Sequence, residues 1–148
     1  MARPETDVAT SIMAPLRRAA DAVVGRTFKV ELRLPDETPL AAVPEATLDA
    51  VLSVLFQNSR QAGASLVVVT LNETPDAIRL RISDDGPGVP AADRVRLFEP
   101  FFTSRRSEGG TGLGLSIARS LLAASHGEIQ LIEAGAGAAF EVTLPRAA

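Results

Sequence analysis

The sequence predicts an α+β fold in which a mixed β-sheet carries helices on one face. Segments with apolar residues spaced three and four apart, typical of amphipathic helices, mix with segments in which apolar and polar residues alternate, typical of half-buried strands. These segments do not follow the regular strand–helix–strand order of a parallel α/β protein. Two of the strands are separated by only the turn residues 73–76, which predicts that they are antiparallel neighbours.

Composition indicates one ordinary globular domain. The chain has 148 residues, of which 46% are hydrophobic and 22% are charged. Its net charge of −3 gives no reason to expect nucleic acid as a partner, and no apolar run approaches the roughly 18 residues that span a bilayer. Cysteine is absent, which excludes disulfides and a thiol nucleophile and fits a reducing compartment. We therefore expect a cytoplasmic domain without direct membrane contact, whether or not its parent protein is membrane-anchored.

The periodic segments can be placed along the chain. Helices are predicted at residues 7–24, 45–62, 91–97 and 112–125. Strands are predicted at residues 28–34, 65–72, 77–83, 128–133 and 139–144. Pro15 is expected to kink or split the first helix, and residues 36–44 are expected to form a loop. Residues 1–27 are interpreted as an N-terminal helix, with or without a linker remnant, and residues 28–148 as the functional domain.

Two polar clusters interrupt these elements. Asn58 and Gln61 lie one turn apart at the border of the apolar stripe of the second helix. One interpretation is that both are amides on the helix surface. The alternative is that the side-chain oxygen of Asn58 is a ligand for Mg²⁺. The acidic segment 84–88 has the sequence Asp-Asp-Gly-Pro-Gly. One interpretation is a tight turn after a strand. The alternative is a binding site in which a carboxylate accepts a hydrogen bond from the exocyclic amino group of a purine. Gly86 and Gly88 would then let the backbone approach the base.

A third cluster, residues 109–115, has four glycines in six residues directly before an apolar helix. Such glycines are costly unless the backbone turns tightly or approaches another group closely. Free amides at a helix N-terminus favour a phosphate group. The segment lacks the Gly-Lys-Ser/Thr of a Walker A loop, and the strong apolar pattern of the following helix argues against a flexible linker.

Four ordered motifs resemble the boxes of sensor histidine kinases. Residues 55–62 (LFQNSRQA) resemble the N box, residues 84–89 (DDGPGV) the G1 box, residues 97–105 (LFEPFFTSR) the F box and residues 110–117 (GTGLGLSI) the G2 box. The resemblance covers roughly residues 28–145, and residues 140–145 look like the terminal strand of the family. Four motifs in the family order are far more specific than any one alone.

This resemblance implies a Bergerat-type ATPase fold, a two-layer α/β sandwich with a mixed, mostly antiparallel sheet. ATP would lie between helices under a lid formed by residues near 101–112. Asn58 matches the Mg²⁺-coordinating asparagine, and Asp84 matches the aspartate that bonds the adenine amino group. Gly86 and Gly88 match glycines of the base pocket.

Further residues match nucleotide-contacting positions of the family. Gln61 and Arg105 join Asn58 as catalytic candidates, and Arg105 is placed to reach the terminal phosphate. The other nucleotide-binding candidates are Ala62, Phe98, Phe102, Gly110, Thr111, Gly112, Leu113 and Gly114. For Phe98, Phe101 and Phe102, anchoring of the lid and simple core packing are equally good interpretations.

Two positions depart from the family pattern. Val54 stands where many members have a further polar residue, often Asn, and Gln61 stands where many have Lys. Both are expected to weaken binding of metal or phosphate, without making the domain inactive. These departures leave open a degenerate, non-catalytic interaction module as an alternative.

The resemblance implies a protein-histidine kinase domain that binds ATP and Mg²⁺ and phosphorylates a histidine on a separate dimerisation domain, with a response regulator as an indirect partner. No histidine precedes residue 28, and His126 reads as a turn residue, so the chain is not expected to autophosphorylate alone. A stand-alone anti-sigma-factor serine kinase of the same fold is the nearest alternative. The segments 97–105 and 110–117 favour the histidine kinase branch.

Overall fold

The computed structural model describes residues 8–102, 113–133 and 137–147. The strands are β1 (Thr10–Ser11), β2 (Lys29–Arg33), β3 (Leu40–Ala41), β4 (Leu66–Glu73), β5 (Ala77–Asp84), β6 (Glu128–Glu133) and β7 (Ala139–Pro145). The α-helices are α1 (Met13–Val23), α2 (Glu45–Gln61) and α3 (Gly114–Ala124), and a 3₁₀ helix covers Ala91–Arg96. The predicted mixture of helices and strands is confirmed.

Five strands form one mixed sheet in the order β2-β4-β5-β7-β6. β2 is parallel to β4, and every other neighbouring pair is antiparallel. The predicted antiparallel pairing of β4 and β5 is therefore confirmed, with Val67 opposite Asp84. This register places Asp84, the last residue of β5, beside the first residues of β4.

The core lies between one face of the sheet and the helices. Alternate strand residues such as Val67, Leu80 and Val142 are fully buried, while Arg79 and Arg81 on the opposite face of β5 are exposed. α2 packs against both α1 and α3. Its buried stripe is formed by Leu48, Val51, Leu52, Leu55 and Phe56. The fold is a two-layer sandwich because the amphipathic helices bury their apolar stripes against the apolar face of the sheet.

The prediction of a helix over residues 7–24 is wrong at its N-terminal end. Helix α1 begins at Met13, and Thr10 and Ser11 pair instead with Ala41 and Leu40. Pro15 lies in the first turn of α1. Backbone N–H groups in the first turn have no intrahelical acceptor, so the lack of an N–H in proline costs no hydrogen bond there, and Pro15 neither kinks nor splits the helix. Buried residues of α1 belong to the same core as the sheet. The boundary at residues 27/28 stays a prediction.

The loop predicted at residues 36–44 contains the short strand β3, which pairing with β1 creates. Nearby, the guanidinium of Arg18 on α1 contacts Glu45 and Asp49 in the first turns of α2, with an Arg18–Asp49 distance of 3.0 Å. Each of these three side chains is partly exposed, so the cluster orients α1 on α2 and adds little to stability. Among the described residues, no helix has the length and hydrophobicity needed to cross a membrane.

Helices α2 and α3 end in the same capping arrangement. After α2, Gly63 has φ of +95°, its N–H donates to Arg60 O, and Ala64 N–H donates to Ser59 O. After α3, His126 has φ of +64°, and Gly127 N–H donates to Leu122 O at 2.7 Å. Both are Schellman caps, in which a left-handed residue reverses the chain. The prediction that His126 is a turn residue is confirmed.

Candidate functional site

The carboxylate of Asp84, at the end of β5, accepts three hydrogen bonds from the described residues. Its Oδ1 accepts from the N–H groups of Gly86 at 3.0 Å and Ala138 at 3.1 Å. Its Oδ2 accepts from the hydroxyl of Ser59 at 2.6 Å. An ionised carboxylate offers about four acceptor positions. Donors among the described residues occupy three of them, which leaves one position on Oδ2 for a further donor.

Ser59 is a site residue that the sequence analysis missed. It lies on α2 directly after Asn58 and is buried, with 6% of its surface exposed. A signal was present, because Ser59 continues the apolar stripe at four residues from Leu55. A hydroxyl on a buried stripe requires a hydrogen-bond partner, and here that partner is the carboxylate of Asp84.

Asp85 has a different set of partners from Asp84. Its Oδ1 accepts from the N–H groups of Ser65 and Leu66, and its Oδ2 accepts from the Ser65 hydroxyl at 2.5 Å. These hydrogen bonds stabilise the charged form and lower the pKa of Asp85; the bond from the Ser65 hydroxyl has the largest effect, and the two backbone bonds come next. Asp85 therefore fastens the segment after β5 to the start of β4. The structure thus distinguishes two adjacent carboxylates that the sequence shows side by side.

The glycines of segment 84–88 differ in their surroundings. Gly86 is buried, and a Cβ there would lie 3.2 Å from Asp84 Oδ1 and 3.4 Å from the Cβ of Ala64. Gly88 is half-buried and has φ of +83°. The first glycine keeps the backbone amide close to Asp84, and the second allows a left-handed turn that side chains disfavour.

The predicted residues of α2 lie at its C-terminal end. Asn58 is half-buried, and among the described residues its side chain has no hydrogen-bond partner. Gln61 is exposed, and Ala62 caps the helix by donating its N–H to Asn58 O. Because Ser59 is bonded to Asp84, the N-box and G1-box segments are in direct contact. Asn58 therefore lies one residue from the contact between the two segments.

Helix α3 begins against α2. A Cβ at Gly114 would lie 3.2 Å from Cγ1 of Val54, so the two helices approach closely at this point. Leu113 occupies the N-cap position of α3, and its carbonyl accepts from Ser116 Oγ at 2.9 Å and from Ile117 N–H. Val54, which replaces a polar residue of the family pattern, thus makes an apolar contact with the helix that follows the glycine cluster.

The phenylalanines of the F-box segment pack beside cationic side chains. Phe98 meets Phe140 of β7 edge to face, with ring centroids 6.4 Å apart, and the guanidinium of Arg119 lies 4.8 Å from its centroid. Arg96 lies 4.5 Å from the ring of Phe102. Phe101 is exposed and has φ of +68°. Phe98 thereby joins the segment before residue 103 to both α3 and β7.

Four predicted residues lie outside the described residues. They are Arg105, Gly110, Thr111 and Gly112. Their proposed contacts with phosphate groups stay predictions. Of the predicted glycine cluster at residues 109–115, the structure describes residues 113–115.

Gly137 and Ala138 complete the surroundings of Asp84 and were not predicted. The N–H of Asp84 donates to Ala138 O at 2.8 Å, and a Cβ on Gly137 would lie 2.1 Å from Asp84 O. Small residues in the turn between β6 and β7 gave no signal of this contact, since turns of this composition are common. Asp84 is thus held by three separate parts of the chain: α2, its own turn and the start of β7.

Comparison with known families decides the assignment. The sequence profile described as histidine kinase-, DNA gyrase B- and HSP90-like ATPases matches residues 44–148. The chain belongs to this ATPase family. Within the family it resembles sensor histidine kinases, as the four boxes predicted. It is 30% identical over 136 residues to the adaptive-response sensory kinase SasA of Gloeothece citriformis, covering 88% of this chain and 35% of that protein.

Other members of the family support the same assignment. The C4-dicarboxylate transport sensor protein DctB of Rhizobium meliloti is 35% identical over 127 residues, which cover 83% of this chain and 20% of DctB. The mycobacterial sensor histidine kinase MprB superposes with a TM-score of 0.81 at 25% identity, over 93% of this chain and 97% of the solved one. The predicted Bergerat-type fold is confirmed by these ATPase neighbours.

A solved structure of full-length ShkA in complex with AMPPNP also matches. Its TM-score is 0.80 at 28% identity, and the match covers 95% of this chain and 31% of ShkA. This chain spans about a third of the length of SasA and of ShkA, and a fifth of DctB. The region similar to this chain is therefore one part of these longer proteins.

Proposed function

We propose that this chain is the ATP-binding catalytic domain of a two-component sensor histidine kinase, with Asp84 recognising adenine. The supporting observation is an acceptor position on Asp84 Oδ2, beside the hydrogen bond from Ser59, that no donor of the described residues occupies. The exocyclic amino group of adenine is a donor of the kind that this position accepts. A carbonyl oxygen at the same place, as in a hypoxanthine base, would instead face the carboxylate with a second acceptor.

The residues present also fit a magnesium ion accompanying the phosphates. Mg²⁺ takes oxygen ligands and is usually held by one or two protein groups together with phosphate oxygens. Asn58 supplies a half-buried amide without a side-chain hydrogen bond to any described residue. A bound magnesium ion would neutralise part of the phosphate charge. Asn58 would hold it, and Gln61 and Arg105 are proposed to contact the phosphate groups.

In this proposal the chain contributes by holding ATP in place. Asp84 orients the base, while Gly86, Gly88, Ala62, Phe98 and Phe102 line its surroundings, and the backbone from Gly110 to Gly114 binds the phosphates at the start of α3. The acceptor would be a histidine on a dimerisation domain, and the γ-phosphoryl group would pass to its imidazole nitrogen as the bond to ADP breaks. Phosphoryl transfer depends mainly on such positioning and on electrostatics. Transfer onward to a response regulator, and a cytoplasmic location, belong to the same proposal.

Calorimetric titration with AMPPNP and Mg²⁺ tests the proposal. We expect saturable one-site binding by the chain. An absence of binding at millimolar nucleotide would refute the assignment. Asp84→Asn should weaken binding at least about tenfold with the fold retained, since its amide presents a donor in place of one carboxylate oxygen. Asp85→Asn is the matched control, because Asp85 bonds Ser65 and Leu66 rather than the proposed base site.

Kinase activity requires a second measurement. With γ-labelled ATP, we expect the chain alone to stay unlabelled, because His126 serves in the turn after α3. Addition of a dimerisation domain carrying an acceptor histidine should give acid-labile, base-stable label on that domain. Label on serine of an added partner would instead favour the anti-sigma-factor kinase, an alternative that the similarity to sensor kinases does not favour.

A further inference from the structure

The turn between β6 and β7 contacts Asp84 through both its main chain and its side chain. Asp84 N–H donates to Ala138 O at 2.8 Å, and Ala138 N–H donates to Asp84 Oδ1 at 3.1 Å. The two residues therefore form a closed pair of hydrogen bonds between positions 54 apart in the sequence. One bond fixes the backbone of Asp84, and the other fixes the rotation of its carboxylate.

Gly137 allows this pair to form. A Cβ at position 137 would lie 2.1 Å from Asp84 O and 3.2 Å from the carbonyl carbon of Asp84. The obstructing atoms belong to the backbone at the end of β5, which cannot swing aside as a flexible side chain can. Any other residue at 137 must therefore move the turn away from Asp84 or push Asp84 out of its present position.

The two bonds on Oδ1 also determine which atom of Asp84 is available. Gly86 and Ala138 occupy both acceptor positions of Oδ1, whereas Ser59 is the one donor to Oδ2 within the part of the chain that the structure describes. Without the bond from Ala138, the carboxylate gains freedom to rotate about its last torsion, which is broad for aspartate. The direction of the open acceptor position on Oδ2 would then be less well defined.

We propose that Gly137 and Ala138 are positioning residues that set the preference of this site for a base carrying an exocyclic amino group. This inference rests on the proposed recognition of adenine by Asp84. The two residues act through Asp84 and need no contact with the nucleotide. Displacement of the carboxylate would break its hydrogen bond to the amino group of ATP and weaken ATP binding. Inosine triphosphate lacks this amino group, so its binding would not be weakened in this way. The inference therefore predicts a change in the preference for ATP over inosine triphosphate.

The experiment measures dissociation constants of ATP and inosine triphosphate for the whole chain and for Gly137→Ala. The wild-type chain should prefer ATP by about a hundredfold or more, as sites built around a hydrogen bond reject analogues that lack it. Gly137→Ala should lower this preference at least about tenfold, mainly by weakening ATP. Gly25→Ala is the matched control, because a Cβ at Gly25 meets nothing within 4 Å, and its preference should equal that of the wild type.

A second variant replaces the peptide bond between Gly137 and Ala138 by an ester, which removes the N–H that donates to Asp84 Oδ1 and leaves every side chain unchanged. It should lower the preference in the same way, and it decides the question if Gly137→Ala fails to fold. An unchanged preference in a folded ester variant would overturn the inference. An ester variant that no longer folds would overturn it as well, since the contact would then be structural. A wild-type chain that binds both nucleotides equally would instead refute the proposed role of Asp84.

Discussion

Ser59 Oγ and Asp84 Oδ2 lie 2.6 Å apart, although 25 residues separate them in the sequence. This hydrogen bond joins the end of α2 to the end of β5. Asn58, the proposed metal ligand, is the residue directly before Ser59 on the same helix. In the proposed function, the residues for the base and those for the phosphates and metal therefore share the C-terminal end of α2.

Replacing Ser59 by alanine tests this relationship. Ser59→Ala should weaken ATP binding about tenfold, because hydrogen bonds to charged groups contribute more than neutral ones and Oδ2 would lose its donor among the described residues. Titration calorimetry measures the change. Ser53→Ala, at an exposed position of the same helix, is the control and should bind as the wild type does. Equal affinities of the two variants would show that Ser59 does not orient Asp84.

The proposed metal ligand can be tested by removing the metal. Asn58→Ala should lower affinity for ATP about tenfold or more in excess Mg²⁺ and should have little effect in EDTA, because its amide oxygen acts through the ion. Asn72→Ala on β4 removes the other asparagine of the chain from an exposed position and serves as the control. A loss of the same size with and without Mg²⁺ would argue that Asn58 supports the fold or the base instead.

The lowered pKa of Asp85 predicts a pH dependence of stability. Because the folded-state pKa lies below the unfolded value of about 3.9, the stabilisation is present above that pH and is lost as pH falls through the folded pKa. The difference in unfolding free energy between the wild type and Asp85→Asn should therefore shrink as the pH falls below about 4. Asp85 is exposed, so the effect should be modest. Ser65→Ala, which removes the largest cause of the shift, should flatten the same dependence.

The cap of α2 predicts an effect of backbone conformation alone. Gly63 has φ of +95°, and a Cβ there meets nothing within 4 Å. Gly63→Ala should therefore destabilise the chain by about 1 kcal/mol, through the cost of a left-handed residue with a side chain. Thermal unfolding should show a melting temperature lower by about 2–4 °C. Gly25→Ala, equally free of clashes and without a positive φ, should be neutral or slightly stabilising.

The sequence located most elements because local patterns specify them. The periodic apolar residues of α2 and the alternation in β4, β5 and β7 placed these elements to within one or two residues. The start of α1 was misplaced, since pairing of Thr10 with Ala41 depends on a segment thirty-one residues away, which periodicity cannot reveal. The order of the strands, with β2 parallel to β4, likewise required the tertiary structure.

For the candidate site, the sequence by itself determined which functional groups are present. An amide at 58, carboxylates at 84 and 85 and glycines around them are visible as residue types at fixed spacings, and four such segments in order resemble one ATPase family. Only the tertiary structure shows that the two carboxylates have different partners, because Asp85 bonds Ser65 and Leu66 at the start of β4, whereas Asp84 bonds Ser59 of α2. It also brought Ser59 and the turn at 137–138 to Asp84. The physical reason is that a hydrogen bond acts over about 3 Å in space, whatever the separation of its partners along the chain.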